Sequence, residues 1–166
     1  MSRVRPYTIP DMERVLELAV ELEEELASRD EIEADPGKIR RIFENGFLNE
    51  EGYHTVLVSA EKRAIKGFVI GSSYAGCPDI DAYGPQDPES CDSTEISLVY
   101  TAADSRKMGI GKSMVGSLCC HVRESYKHTR AEANVASDNH PALGLFRSLG
   151  FDEELDGSIY LFTRDL

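Results

Sequence analysis

Residues 106–113 read Arg106-Lys107-Met108-Gly109-Ile110-Gly111-Lys112-Ser113, and this short run decides how the rest is read. Before it stands a strand-like stretch, residues 94–101, in which β-branched and aromatic side chains alternate with polar ones. After it, Ile110, Met114, Leu118 and Val122 recur at four-residue steps and predict an amphipathic helix over 109–126. A strand that feeds a glycine-bearing loop and then a helix is an anion-binding arrangement. Glycine lets the backbone come close, the first helical N–H groups lack acceptors, and the helix dipole favours negative charge.

Two motifs compete for the loop. The nucleotide P-loop, G-x-x-x-x-G-K-[ST], finds its second half in Gly111-Lys112-Ser113, but its first glycine falls on Arg106, where a side chain hinders the wrap around a phosphate. The pattern R-x-x-G-x-G fits without mismatch as Arg106, Gly109 and Gly111. A glycine-bearing turn before a helix would satisfy the same six positions with no ligand at all.

Outward from the loop, charge is uneven. The 166 residues carry 18 Lys and Arg against 30 Asp and Glu, a formal charge of −12. Residues 67–105 contain no Lys or Arg, whereas 106–130 contain Arg106, Lys107, Lys112, Arg123, Lys127 and Arg130 against Glu124 alone. One basic segment in an acidic chain suggests a local anion site, or a solvated helix face. The overall sign argues against a nucleic-acid coat. No run approaches the roughly 20 apolar residues of a membrane span, and the first six residues lack the apolar core of a secretion signal. The expectation is a cytoplasmic protein with no membrane or nucleic-acid partner. Four cysteines are too few for a disulfide scaffold, although Cys77 and Cys91 bracket the acidic loop 77–92 and would staple it under oxidation.

The remaining segments alternate. A short strand at 4–7 leads to a helix capped by Thr8 with Asp11 three residues on, its apolar face carrying Met12, Val15, Ala19, Leu22 and Leu26. Asp35-Pro36 starts a second helix. Strands at 55–60 and 64–74 flank the turn Glu61-Lys62-Arg63 as a hairpin. A strand at 130–136, a short helix at 139–149 ended by Gly150, and two strands within 151–163 close the chain. With no repeat and no linker, residues 1–166 read as one mixed α/β domain.

Some thirty residues after the loop come Asn139-His140-Pro141-Ala142 and then Leu149-Gly150-Phe151. Here the chain resembles the GNAT superfamily of acetyl-CoA-dependent N-acetyltransferases. The resemblance rests on Arg106-x-x-Gly109-x-Gly111 after a strand, on Asn139-x-x-Ala142 before Leu149-Gly150-Phe151, and on element order over essentially the whole chain. It implies an α/β (α+β) fold whose central sheet is mixed, mostly antiparallel and flanked by helices on both faces. It also implies acetyl-CoA as cosubstrate, with no metal. Backbone N–H groups of Arg106, Lys107, Met108, Gly109, Ile110 and Gly111 would hold the pyrophosphate, with Lys112 and Ser113 near the phosphates. Backbone groups of Val99 and Thr101 would take the pantetheine arm as an added strand. Asn139 would contact that arm, and it reads equally as a helix cap.

Acetyl transfer to an amine poses a proton problem, because an amine of pKa near ~10.4 is almost entirely protonated at pH 7. Glu95 is the candidate general base. Regular strand alternation would place Glu95, Ser97, Val99 and Thr101 on one face, with Ile96, Leu98 and Tyr100 on the other. It stands eleven residues before Arg106, the spacing at which histone-acetylating members of the family carry their base. The sequence departs from the family at Phe146, where many members carry the tyrosine that protonates the leaving thiolate. Tyr74, Tyr100 and Tyr126 read as packing residues. His140 reads as a surface residue, and Cys119 and Cys120 as members of an amphipathic helix.

In the family the first two helices line the acceptor side. Here they hold Glu23, Glu24, Glu25, Asp30, Glu31 and Glu33, a mouth suited to cationic amines such as polyamines, amino sugars, lysine or N-terminal amines, or else a solvated helix face. The acidic loop is equally suited to contact between two copies of the chain. The expected function is N-acetyl transfer by direct attack in a ternary complex. The alternatives are a non-catalytic acyl-CoA sensor and, less well matched, a P-loop nucleotide enzyme.

Overall fold

In the computed structural model, which describes residues 2–29, 33–48, 54–62, 64–74 and 91–166, seven strands form one sheet. They are β1 (Arg3–Pro6), β2 (His54–Glu61), β3 (Ala64–Tyr74), β4 (Ser93–Thr101), β5 (Arg130–Ala136), β6 (Asp152–Asp156) and β7 (Ile159–Asp165). The helices are α1 (Met12–Arg29), α2 (Pro36–Ile42), α3 (Ile110–Tyr126) and α4 (His140–Ser148). Spatial order is β1-β2-β3-β4-β5-β7-β6, antiparallel everywhere except between β4 and β5. The expected mixed, mostly antiparallel sheet is the observed one. No helix among the described residues is long and apolar enough to cross a membrane.

Local signals explain the entries to the helices. Asp11 accepts from the backbone N–H of Thr8 at 2.9 Å and from its hydroxyl at 2.8 Å, and Arg5 clamps the same carboxylate at 2.6 and 2.7 Å. Asp35 accepts from the Lys38 N–H at 2.9 Å to start α2.

The apolar faces close two cores, one on each side of the sheet. Val15, Leu16, Leu18 and Ala19 of α1 pack with Phe43 against Val56, Val58, Phe68, Ile70 and Tyr100. On the other side Ile110, Met114, Leu118 and Val122 of α3, with Leu143 and Phe146 of α4, cover Leu57, Val69, Ile96, Ala133 and Phe162. Two glycines of β3 set how closely α3 lies. A Cβ at Gly67 would stand 2.5 Å from the Tyr100 carbonyl oxygen and 3.1 Å from Met114 Cε. One at Gly71 would stand 3.0 Å from Leu118. The helix therefore sits tight on the sheet, and its N-terminus comes to rest just past the end of β4.

Candidate active site

The sheet opens at its one parallel junction. β4 and β5 pair only at Ser93↔Arg130, Thr94↔Ala131 and Glu95↔Glu132. Beyond Glu95, β4 continues to pair with β3 as far as Thr101, while β5 continues with β7. Residues 96–101 therefore present their β5-facing backbone groups to a gap inside the sheet. Such an interior edge accepts an extended chain by strand addition.

A bulge in β4 re-aims the side chains here. The register with β3 steps from Ile70↔Leu98 to Gly71↔Ile96, leaving Ser97 as the extra residue. The regular alternation expected from sequence does not hold. Ile96 and Val99 face the α3 core, whereas Leu98 and Tyr100 face the α1 core. Glu95 pairs with Ser72, two positions on from Ile70 of the α1 core, so it belongs with Tyr100 and not with Val99 and Thr101. Its Oε1 accepts from Nδ2 of Asn134 on β5 at 3.3 Å, a bond that spans the fork where the two strands part.

Past β4 a short turn, Ala103–Ser105, leads into the glycine loop. Lys107 and Gly109 are left-handed, with φ of 62° and 77°. Among the described residues, the backbone N–H groups of 107–112 have no hydrogen-bond acceptor, and the Gly109 carbonyl takes the Ser113 N–H at 3.0 Å. Six open donors at the head of a 17-residue helix fit a polyanionic group such as a pyrophosphate.

The side chains of the basic run do not converge on that cradle. Arg106 reaches back to Glu25 of α1 at 2.5 Å, gives Nε to the Thr101 carbonyl at 3.0 Å and lies 5.4 Å over the Tyr100 ring. Lys112 Nζ donates to the Ser148 carbonyl at the end of α4 at 2.9 Å. Lys127 donates to the Glu124 carbonyl, and Arg130 pairs with Glu132 at 2.9 Å. Whatever anion the loop takes, the backbone is equipped to hold it and most of the nearby cations are engaged elsewhere. Ser113, Lys107 and Met108 are exposed.

Asn139 caps α4, its Oδ1 accepting from the Ala142 N–H at 3.3 Å. Phe146 is 3% exposed and packs at 5.2 Å from Phe151 and 5.3 Å from Phe162, so that position is a core residue with no donor. Tyr126 packs against His121 and His128. Tyr100 has a buried ring, but its hydroxyl donates to Glu25 at 2.8 Å, and burial raises its pKa above the usual range. Tyr74 has no described side chain. Burial pushes the Cys119 thiol up to about 11, as befits an inert core cysteine. A pairing of Cys77 with Cys91 falls on Cys77, outside the described residues, as do Asp30, Glu31 and most of the acidic loop.

Sequence reasoning missed Asn134, and it placed Ser97 only on a strand face and Glu25 only in an acidic helix, without the bulge at Ser97 or the tie from Glu25 to Arg106. Asn134 carried one signal, a polar side chain inside a strand otherwise rich in alanine and valine.

An open fork in a mixed sheet beside a donor-rich helix head is built for an extended ligand that ends in an anion. The chain belongs to the Acetyltransferase (GNAT) family, whose profile matches residues 14–151. Among solved structures it is similar over 100% of its length to the PaiA N-acetyltransferase of Thermoplasma acidophilum in complex with coenzyme A, at 15% identity, 99% coverage of that chain and a TM-score of 0.69. It is similar over 99% to the ribosomal-protein-alanine N-acetyltransferase of Brucella melitensis, at 23% identity, 99% coverage and a TM-score of 0.69. An acetyltransferase of Thermus thermophilus matches 100% of the chain at 16% identity, 97% coverage and a TM-score of 0.71. At these identities the structures establish the fold. No curated protein matches the chain.

Proposed function

We propose that residues 1–166 act as one catalytic domain that transfers an acetyl group from acetyl-CoA to a primary amine, directly and within a ternary complex. The observation that carries this reading is the fork. β4 parts from β5 after Glu95 and leads straight to the open amides of 107–112. In this reading, backbone groups of Val99 and Thr101 bind the pantetheine arm along the gap. The open amides of Lys107 to Lys112 bind the pyrophosphate, with Ser113 beside them, while the Arg106 N–H turns to the Ala103 carbonyl at 3.5 Å. Asn139 adds a contact from the head of α4 through the amide that its cap leaves over. Acetyl-CoA supplies the activated thioester.

The chain's own task is to place an amine and take its proton. Glu95 stands at the mouth of the fork, with one carboxylate oxygen held by Asn134, and the carboxylate accepts the ammonium proton. On the Glu95 face of the sheet α1 brings Glu21 and Glu25 to the Tyr100 hydroxyl of β4 and carries Glu23 and Glu24 beside them, a negative helix that favours a cationic acceptor over a neutral one. With phenylalanine at 146 the thiolate leaves unprotonated, acceptable for a group of pKa near ~8.5.

The test is a thermal-shift comparison with saturating acetyl-CoA, coenzyme A and ATP-magnesium. At a hundredfold excess over Kd, binding adds about 2.7 kcal/mol, a rise of several degrees for a chain of this size. A shift with the two coenzymes alone supports the reading, and a shift with ATP alone overturns it. Thiol release with spermidine, lysine or a peptide with a free N-terminus then identifies the acceptor class. A second reading, a non-catalytic acyl-CoA-binding module, is favoured by the buried Phe146. Coenzyme binding without thiol release in any amine series would select it.

A further inference from the structure

A line of hydroxyl and imidazole groups runs sideways across the sheet from the fork. Ser97, at the β4 bulge, shares a 2.7 Å hydrogen bond with Ser72 of β3. Ser72 Oγ lies 2.9 Å from Nδ1 of His54, the first residue of β2. Ser72 is 2% exposed, whereas Ser97 and His54, the two ends, are partly exposed. The line begins two residues past the last β4–β5 pair and ends at a titratable ring. His54 lines a cavity of about 320 Å³ at the N-terminal end of β2, together with Tyr7, Phe47, Thr55, His121 and Tyr126. The Phe47 ring packs edge-on against His54 at 4.9 Å.

N-acetylation of an ammonium group releases two protons, one before attack and one as the amide forms. A single carboxylate holds only one of them at a time. We propose that Ser97, Ser72 and His54 form a relay that carries the second proton from the fork to the cavity at the N-terminal end of β2. The inference rests on the acetyl-transfer reading above. Glu95 takes the first proton and exposes the nitrogen lone pair. As the N–C bond forms, the nitrogen passes its extra proton to Ser97 Oγ. Ser97 passes its own hydroxyl proton to Ser72, and Ser72 passes its own to His54 Nδ1. Both serines end as neutral hydroxyls, and His54 ends as imidazolium, which sheds the proton into the cavity.

The direction of flow needs a neutral ring with a bare Nδ1. Burial holds His54 below the usual imidazole range, which favours the neutral ring. The groups facing it are the Ser72 hydroxyl of β3 and the Phe47 ring after α2. Tyr7, and His121 and Tyr126 of α3, are the other titratable groups in the cavity wall, and among the described residues no Asp, Glu, Lys or Arg lines it. Ser72 and His54 are thus positioning residues that act through Ser97.

The experiment compares wild type with His54→Gln, Ser72→Ala and Ser97→Ala, after each is shown to keep its thermal midpoint and its coenzyme shift. Acetyl transfer to spermidine, lysine and a peptide with a free N-terminus is followed by thiol release from pH 5 to 9. The relay requires each variant to lose at least about tenfold in kcat at pH 7, with KM for acetyl-CoA within about twofold. The acidic limb of the wild-type profile disappears in His54→Gln and persists in Glu95→Gln. In His54→Ala, added imidazole entering the cavity restores turnover. Nitrogen NMR of the unliganded protein should show His54 with Nδ1 unprotonated at pH 7. An Nδ1–H tautomer, or full kcat with an unchanged acidic limb in the variants, overturns the relay while leaving acetyl transfer intact. Wild type that acetylates none of the amines overturns the parent reading, and the relay falls with it.

Discussion

Glu25 of α1 and Arg106 at the head of the glycine loop form an ion pair at 2.5 Å, and the Glu25 oxygen that makes it also accepts the Tyr100 hydroxyl at 2.8 Å. The arginine of the loop motif is thereby tied to the helix on the opposite face of the sheet. Both side chains are more than 40% exposed, so screening leaves the pair worth at most about 1 kcal/mol of stability. Its effect should fall on loop position. Arg106→Ala and Glu25→Ala should each raise the KM for acetyl-CoA several-fold, with a thermal midpoint shifted by no more than a few degrees. Equal coenzyme KM in both variants would show that the tie does not position the loop.

Gly111 separates ligand fit from helix stability. A Cβ there would meet Leu145 at 3.7 Å and Thr101 Oγ1 at 3.8 Å, ordinary contacts, in a helix where alanine is favoured over glycine by up to about 1 kcal/mol. Gly111→Ala should leave the unliganded midpoint unchanged or higher, yet weaken coenzyme A binding about tenfold. Calorimetric titration reads both. Undiminished affinity would place the phosphates elsewhere.

Glu95→Gln keeps the shape of the fork and can still bond Asn134, but it cannot take a proton. Turnover should fall by about 10²-fold or more at pH 7, while the coenzyme thermal shift stays as in wild type. Turnover equal to wild type across pH 6–9 would remove Glu95 from the proton path.

Asp11 predicts an acid limit to stability. The Arg5 guanidinium and two hydrogen bonds from Thr8 hold its carboxyl down to about 2. A carboxyl that is lower folded than unfolded stabilises the fold above its unfolded pKa. That contribution, roughly 2 kcal/mol, is lost as pH falls from about 4 towards 2. Asp11→Asn should be less stable than wild type at pH 7 by that order and should converge with it near pH 2. Denaturant titration at both pH values checks it.

Much of this was legible in the chain. Periodicity and caps located α1, α3 and α4, and the turn at residues 61–63 marked the β2–β3 hairpin, because each signal is local. The bulge at Ser97 was not legible. An extra residue leaves no mark in an alternation that is counted two by two, and it moved Glu95 to the other company. Nor was the tie between Glu25 and Arg106, 81 residues apart, which exists only once α1 has crossed the sheet. The basic run suggested clustered charge, yet folding turned Arg106 and Lys112 towards separate partners. Phe146 was visible as a departure from the family, but its place in a ring cluster was not.

The three-pair junction also has a consequence for solvent exchange. β4 is a nine-residue strand in the middle of a seven-stranded sheet, and such strands ordinarily hold their amide hydrogens longest. Past Glu95 only the neighbour on one side is present. Deuterium should therefore enter β4 in a comb pattern, slowly at amides that face β3 and at loop-like rates at those that face the gap. A ligand laid along the gap would erase the comb and make the strand protect as its position in the sheet suggests.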